Sequence, residues 1–386
     1  MMRGFIVRIL PTQEQEEKIW KHINGSRFVW NYAIEMQEKR YNKDKYFYGK
    51  YELRKIIQEL TKQNDYSWLK EISTHTIGLV CELVYNSYLR FFNKISQKPH
   101  FKSKKKDKPS YFTRAERTYF NNDNTVHIEK VGNIRFKTNY SLPRGMKNCK
   151  LYRTGIKYRN GKWLLFFSMD CENQTVAIND YKIGIDVGVK RFATIACSDS
   201  SYYCYYNVNY SKRVKSLTKK LTHLNRNLNR KYQTNNRNHN YDCLWYKSNN
   251  IIKLEAQIRK IYSKINNIKR DFIHKVTHDI VSMRPKSITI EDLDLIGIEK
   301  NRHLAKCVAD QCLSEFKRQI EYKSEKYGIE FIKADRFFPS SKTCSRCGCI
   351  KPTLKLYERT FVCNECGFEI DRDLNAAINL MNYSTT

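Results

Sequence analysis

Residues 183–208 read IGIDVGVKRFATIACSDSSYYCYYNV, and this stretch decides the fold. Its short apolar and aromatic runs are separated by turn-forming residues, a pattern that predicts three consecutive β-strands. Asp186 stands inside the first apolar run, where a buried carboxylate is costly unless it is paired or binds a cation. Gly188 follows it and permits a turn or a close backbone approach. The stretch therefore predicts the start of a sheet with an acid on its first strand.

The following residues predict the rest of an α/β unit. Between residues 211 and 231 there are eight Lys and Arg and no acid, with leucines at helical spacing, which indicates an amphipathic helix with a basic face. A second long helix is expected over 250–281, packed against the first as a hairpin. A strand over 287–290 ends in Glu291, followed by a helix over 304–327 and a strand over 329–334. With a last helix after residue 370, this order resembles the RNase H-like fold.

Four cysteines have the spacing of a structural zinc site. Cys344, Cys347, Cys363 and Cys366 form the pattern C-x2-C-x15-C-x2-C, and each pair is followed by glycine one residue on. Four thiolates complete a tetrahedral Zn²⁺ site with no open position, so the zinc is expected to be structural. Cys349, beside the first pair, is expected not to be a ligand. The basic residues of this ribbon are suited to a nucleic-acid backbone: Arg346, Lys351, Lys355 and Arg359.

Three acids are the candidate catalytic residues. Asp186 lies in a predicted strand, Glu291 at the end of another, and Asp373 in the first turn of the last helix. Together they could hold two Mg²⁺ ions for phosphodiester hydrolysis. Each also has a structural interpretation: Asp186 as a turn residue, Glu291 as one of several exposed acids, and Asp373 as an acid favoured by the helix dipole. Asp371 directly precedes the helical run and is expected to be its N-cap.

The first half of the chain predicts a helical block inserted in a small β-domain. Residues 3–10 alternate as a strand, Thr12 is expected to cap a helix, and a second helix is expected after Gly25. Short alternating segments between 125 and 170, with turns at Gly132 and at 160–161, predict an antiparallel sheet that could include the first strand. Residues 98–114 carry seven Lys and Arg with Phe101, Tyr111 and Phe112 between them. They could form a single-strand or RNA contact, or a solvated linker.

The composition of the chain indicates which class of molecule it binds. The chain has 386 residues, a formal net charge of +32 and a pI near 9.6, so a polyanion, nucleic acid in particular, is the expected partner. No apolar run is long enough for a membrane span and no signal peptide is recognised, so an intracellular protein without a membrane partner is expected. The isolated cysteines are expected to be small buried hydrophobic residues in a reducing compartment: Cys81, Cys171, Cys197, Cys204, Cys307 and Cys312.

Several motifs together resemble the OrfB/TnpB family, the transposon-encoded relatives of type V CRISPR effector nucleases. They are RFVWNYAI near the start, GIDVGVKRFATIA, ITIEDLDLIGI, and FFPSSKTCSRCG with ERTFVCNECGFEIDRDLNAAINL near the end. The matches are collinear from about residue 5 to 382. The Asn-, Lys- and Ile-rich composition leaves room for the Fanzor branch of eukaryotes and their large viruses.

The resemblance implies an RNA-guided, Mg²⁺-dependent DNA endonuclease with an α/β, RNase H-like (RuvC) nuclease domain. Its catalytic acids carry over to Asp186, Glu291 and Asp373. The implied domains are a wedge-like β-domain (1–10 and 116–180), a helical recognition domain (11–115), a RuvC-like domain (181–335 and 371–386) and an inserted zinc ribbon (336–370). In this family the ribbon immediately precedes the helix that carries the third acid, which would explain why the two metal motifs are adjacent.

The implied partners are a DNA target and a guide RNA from the transposon's end, bound by a monomer or a weak dimer. The expected compartment is the cytoplasm of a prokaryote, or the nucleus or viral factory of a eukaryotic or viral host. The alternative is a non-catalytic zinc-ribbon accessory that binds DNA and regulates transposition. An older description as a transposase uses the same residues, but no end-binding and synaptic apparatus for strand transfer is recognised.

Overall fold

A computed structural model describes residues 2–121, 124–138, 150–171, 176–237, 247–292, 312–355 and 357–383. The chain divides into two compact units, Met1–Glu172 and Asn173–Thr386. Each unit contains its own sheet and its own hydrophobic core. No helix among these residues is long and apolar enough to cross a bilayer.

The first unit is built on a seven-stranded antiparallel sheet of order β2-β6-β7-β1-β5-β4-β3. The first strand pairs with both β5 and β7, which confirms that it belongs to the sheet of the 125–170 segments. The β6–β7 turn has positive φ at Asn160 and Gly161, the backbone of a tight hairpin. The strands are β1 Met2–Leu10, β2 Ser110–Phe112, β3 Tyr119–Phe120, β4 Thr125–Ile128, β5 Gly132–Lys137, β6 Leu151–Arg159 and β7 Lys162–Asp170.

Three α-helices lie between β1 and β2: α1 Gln13–Asp44, α2 Lys50–Leu60 and α3 Thr74–Phe92. Thr12 caps α1 through a capping box, as expected. The prediction of a new helix after Gly25 was wrong, because α1 continues through this residue. The glycine serves packing instead: a Cβ there would lie 1.8 Å from Cδ1 of Ile72. The missing side chain lets Ile72 pack against the middle of the helix.

The basic segment 98–114 belongs to the first unit and packs against α1. Lys102 lies with its Nζ 3.6 Å from the ring centroid of Trp30, and its backbone exchanges two hydrogen bonds with Asn31. Phe101 is exposed, but Tyr111 is only 3% exposed and packs in the core of the sheet. The interpretation of Tyr111 as a base-stacking surface was therefore wrong, because the segment enters β2 at Ser110 and turns this side chain inward.

The second unit contains a five-stranded mixed sheet of order β10-β9-β8-β11-β12. The first three strands are consecutive and antiparallel, as the sequence predicts, and β11 lies parallel to both β8 and β12. Crossover helices connect the parallel strands, as this pairing requires. The strands are β8 Lys182–Val187, β9 Arg191–Cys197, β10 Tyr202–Tyr206, β11 Ser287–Glu291, β12 Glu330–Ala334 and, in a separate two-stranded sheet, β13 Thr360–Val362 and β14 Glu369–Asp371.

The described helices of this unit are α4 Lys212–Arg237, α5 Asn249–Ser282, α6 Leu313–Tyr327 and α7 Arg372–Met381. The leucine stripe of α4 packs against the isoleucine stripe of α5, so the predicted hairpin is confirmed. Gly328 ends α6 with φ 73°, a left-handed cap. The predicted start of this helix, residues 304–311, lies outside the described residues, as does Cys307.

Helix α7 packs directly on the sheet across β8 and β9. Gly184 on β8 makes this possible, because a Cβ there would lie 2.1 Å from the carbonyl oxygen of Ala377 and 2.3 Å from the backbone nitrogen of Met381. Among the isolated cysteines, Cys81 and Cys197 are buried as expected, and Cys171 and Cys312 are partly buried. Cys204 is exposed, contrary to expectation, because it lies on an edge strand.

Candidate active site and metal centre

Two of the candidate acids are neighbours at one end of the sheet. Strands β8 and β11 are parallel, with Ile185 opposite Ile290. The next residues along, Asp186 and Glu291, are therefore side by side. Both belong to the face on which Gly184 meets α7, since alternate residues of a strand share a face. Asp373 stands in the first turn of α7 and approaches from that face. The fold thus brings together three acids that are distant in sequence.

The acids form an electrostatically unfavourable cluster. Burial holds the pKa of Asp186 well above its ordinary value, and the negative charges of Asp373 and Glu291 raise it further. Burial also raises the pKa of Glu291. Neither group gains enough from neighbouring donors to offset the loss of water. A site that disfavours its own ionised form is one in which a bound cation would be strongly stabilised.

Arginines surround the beginning of α7. Oδ1 of Asp371 accepts hydrogen bonds from the backbone nitrogens of Asp373 and Leu374, at 3.1 and 3.2 Å, so the predicted N-cap is confirmed. The same oxygen accepts from Nη1 of Arg191 at 2.6 Å. Asp373 has Nη2 of Arg372 at 3.4 Å and Nη1 of Arg359 at 4.0 Å. Arg191, on β9, therefore joins the strand beside Asp186 to the helix that carries Asp373.

The three acids are spread more widely than the ligands of one compact metal site. In the part of the chain that the structure describes, only the four cysteines gather three or more ligand atoms within 4.8 Å of one another. Carboxylates are nevertheless the ligands that Mg²⁺ prefers, so the side chains of the acids are chemically able to bind this ion.

The four predicted cysteines meet in one cluster. Their Sγ atoms all lie within 4.8 Å of one another, with 3.7 Å between Cys344 and Cys366 and 3.6 Å between Cys347 and Cys363. Four sulfurs at about 2.3 Å from a tetrahedral Zn²⁺ would be about 3.8 Å apart, so the thiols fit this ion. Cys349 is not part of the cluster; its carbonyl oxygen accepts from the Cys344 nitrogen at 2.8 Å.

Two asparagines that the sequence analysis missed attach this cysteine segment to α7. Asn375 is fully buried; its side chain donates to the Thr343 carbonyl at 2.7 Å and accepts from the Ser345 nitrogen at 3.0 Å. One turn later, Asn379 donates to the carbonyls of Ser340 and Thr343, both at 2.7 Å. The signal in the sequence was a pair of amides at i and i+4 on the otherwise apolar face of a helix. Through them, the first cysteine turn rests on the helix that carries Asp373.

Models of known protein families match three parts of the chain in order. A model described as a helix-turn-helix domain of OrfB matches residues 1–45, and one described as a probable transposase, also of OrfB, matches 166–302. A third, described as a Cas12f1-like TNB domain, matches 314–380, which includes the cysteine cluster and Asp373. Over these ranges the chain is similar to OrfB proteins and to the Cas12f1-like TNB domain. The matched helix-turn-helix segment is folded as β1 followed by the single helix α1.

Two relatives align along nearly the full length of the chain. A protein of Streptomyces pristinaespiralis named "Putative RNA-guided DNA endonuclease" is 27% identical over 98% of this chain and 88% of its own. "Putative RNA-guided DNA endonuclease InsQ" of Escherichia coli K12 is 26% identical over 98% of this chain and 92% of its own. The fold is similar to the Cas12f1 chain in a cryo-EM structure of a Cas12f1-sgRNA-target DNA complex, with TM-score 0.62, 14% identity and 99% of each chain covered. This likeness confirms the predicted RNase H-like nuclease fold with an inserted cysteine ribbon.

Proposed function

We propose that this chain is a transposon-associated, RNA-guided DNA endonuclease of the TnpB type. It hydrolyses phosphodiester bonds with Mg²⁺ that is held by Asp186, Glu291 and Asp373. The cysteine cluster holds a structural Zn²⁺. The observation that carries the proposal is the meeting of the three acids at one end of the sheet, in the fold of a nuclease. The two full-length relatives named as RNA-guided DNA endonucleases support the guided part.

Each residue of the site has a chemical role in this proposal. Asp186, Glu291 and Asp373 would hold the metal, which when bound activates water and stabilises charge on the leaving oxygen. Burial and mutual repulsion of the acids favour binding of a cation, since the cation removes an unfavourable charge cluster. Arg191 and Asp371 orient the first turn of α7 and so position Asp373. Asn375 and Asn379 hold the ribbon against the same helix.

The partners are a guide RNA and a DNA target. In guided nucleases base pairing reads the target sequence, while the protein reads a short flanking DNA motif and grips the nucleic-acid backbone. A net charge of +32 and the exposed basic side chains of α4 support this division of labour. The protein would act where its host's DNA lies, in a prokaryotic cytoplasm or a nucleus or viral factory.

The test of the catalytic part uses four variants of the full chain purified with its bound RNA. Asp186→Ala, Glu291→Ala and Asp373→Ala should each abolish cleavage of a DNA that matches the guide, and leave DNA binding largely intact. Asp371→Ala is the matched control: it should cost a helix cap, about 1 kcal/mol, and retain part of the activity. Loss of cleavage in Asp371→Ala with retention in Asp373→Ala would show that the wrong acid of the pair was assigned to the metal.

The test of the guided part is to sequence the RNA that co-purifies with the protein and to design targets from it. Cleavage should require that RNA, Mg²⁺ and a matching target. A nucleic-acid-free preparation that still cuts DNA would contradict guidance. A preparation that binds DNA through its ribbon, yet never cuts with RNA and Mg²⁺ present, would favour a non-catalytic accessory instead.

A further inference from the structure

An exposed aromatic stripe lies on one edge strand of the sheet that carries the acids. Strand β10 has the sequence YYCYY and forms one edge of the five-stranded sheet. Tyr202 is 62% exposed and Tyr206 67%, and Tyr210, in the following 3₁₀ turn, is 52% exposed. Large aromatic side chains are usually turned inward, as Tyr205 of the same strand partly is, packed against the core. We call Tyr202, Tyr206 and Tyr210 the tyrosine stripe.

The strand registers place the stripe on the face of the sheet that carries the acids. Asp186 is opposite Thr194 of β9, which is opposite Cys204 of β10, so these three form one row. Tyr202 is two residues from Cys204 and shares its face. Two strand spacings separate the backbones of Asp186 and Cys204, about 10 Å.

Tyr206 lies beside the arginine that binds the catalytic helix. It is opposite Arg191, across a bulge in the pairing of β10 with β9. The Arg191 side chain reaches Asp371 at the start of α7, so this end of the stripe also faces that helix. The stripe thus runs along the edge strand β10, on the face of the sheet that α7 covers over β8 and β9.

Positive charge accompanies the stripe. Lys190 precedes Arg191 in the turn before β9 and is exposed. The Lys215 ammonium lies 5.6 Å from the centroid of the Tyr210 ring, at the beginning of α4. No acid occurs in the sequence between Asp199 and Asp242. Exposed aromatic rings and lysines are the two components of a single-strand nucleic-acid surface, because the rings stack on bases and the positive charges bind phosphates.

We propose that the tyrosine stripe is a stacking platform for single-stranded DNA, which leads an unpaired strand toward the acids. Delivery of that strand to the acids rests on the proposed function, because it presupposes that the acids cut DNA. A duplex is a poor occupant because its base faces are already stacked on each other. A second copy of the chain is also a poor occupant, because lysines and a bulge beside an edge strand disfavour edge-to-edge pairing.

The test measures binding of a fluorescent oligothymidylate that cannot pair with the bound RNA, at several salt concentrations. The double variant Tyr202→Ala/Tyr206→Ala should bind about tenfold more weakly or worse, because each stacked base contributes through its ring. The slope of log affinity against log salt should not change, since no phosphate contact is lost. Tyr202→Phe/Tyr206→Phe should bind as the wild type does. Tyr51→Ala/Tyr119→Ala removes two exposed tyrosines of the first unit and should have no effect.

A second measurement needs no substitution on the stripe. Cys204 is an exposed free thiol between Tyr202 and Tyr206, so its alkylation rate reports whether a ligand covers β10. Oligothymidylate should slow its modification by a maleimide, measured by mass spectrometry, and an equal mass of duplex should not. Neither measurement depends on DNA cleavage, so the platform can be contradicted while the proposed nuclease function stands, and the reverse. Unchanged binding in the alanine variant, equal protection by duplex, or a dimer that the alanine variant dissociates would each overturn the platform.

Discussion

At the scale of single residues, the position that suits Asp186 for metal binding also destabilises its ionised form. Its pKa is raised in the folded chain by burial and by neighbouring negative charge, so folding makes its ionised form less favourable. The folded state therefore keeps a proton to higher pH than the unfolded chain does. Stability should fall as pH rises above the unfolded value, near 3.9, toward the folded pKa.

We therefore expect Asp186→Asn to raise the melting temperature in buffer free of divalent cations, and to do so more at pH 8 than at pH 5. Mg²⁺ should raise the melting temperature of the wild type and not of the variant. Asp271→Asn, at an exposed acid paired with Lys275, is the control and should change little. A wild type that is more stable than Asp186→Asn at pH 8 without Mg²⁺ would contradict this account.

At the scale of elements, the contact between α7 and β8 depends on one missing side chain. Gly184→Ala would put a Cβ against backbone atoms of Ala377 and Met381, which cannot rotate away. We expect a loss of roughly 1–3 kcal/mol, the range for overpacking, with loss of cleavage because Asp373 moves with α7. Gly4→Ala, on a strand with open space at the Cβ position, is the control. The measurements are the free energy of unfolding, from chemical denaturation, and the cleavage rate of both variants. Equal free energies of unfolding would contradict the close contact between α7 and β8.

The asparagine contacts between α7 and the cysteine turn can be separated from metal binding. Asn375→Ala leaves the Ser345 nitrogen without its side-chain acceptor, at about 1–3 kcal/mol, and leaves the Thr343 carbonyl bonded to Asn379 alone. We expect the variant to keep its zinc but to cut DNA more slowly, because the ribbon no longer rests on α7. Asn382→Ala, at the exposed end of the same helix, should behave as the wild type. Zinc lost together with activity would show that Asn375 serves the metal site itself.

The cysteine ribbon should fold only with its metal. Its core is small: among the described residues of the ribbon the buried hydrophobic cluster consists of Cys344, Phe361 and Cys363, so metal binding must supply most of the folding energy. Cys344→Ser should lose zinc and unfold residues 343–367, while the five-stranded sheet, whose strands lie outside this segment, survives. Cys349→Ser should retain one zinc per chain. Zinc content and far-UV circular dichroism distinguish the two; zinc lost in Cys349→Ser alone would mean that the ligand set is wrong.

At the scale of the whole molecule, positive charge should set the salt dependence of nucleic-acid binding. Replacing Lys212, Lys215 and Lys219 of α4 by Gln should reduce the slope of log affinity against log salt for single strands by about 0.7 per lost phosphate contact. The control removes three lysines that pair with acids on their own surface, Lys18, Lys39 and Lys62, and changes net charge equally. Equal slopes in the two triple variants would show that only net charge matters and not the basic face of α4.

The sequence by itself determined most of the local structure. Alternation, capping residues and leucine spacing predicted the five strands of the second unit's sheet and five of the seven in the first. They also predicted the caps Thr12 and Asp371 and the helical hairpin, because these features depend on neighbours within a few residues. The cysteine spacing predicted which four thiols meet, since each pair lies on one tight turn. The roles of the acids and the domain limits stay predictions that rest on family resemblance.

Only the tertiary structure decided which side chains face solvent and which are joined across the chain. Gly25 looked like a helix end but accommodates Ile72, and Tyr111 looked like a stacking surface but lies in a core. The bonds of Arg191 to Asp371 and of Asn375 to Thr343 join residues 180 and 32 positions apart. No local pattern encodes such contacts, because they depend on strand order and on which face of a sheet a helix covers. The same strand order put Cys204, Tyr202 and Tyr206 on an edge strand, where their side chains are exposed.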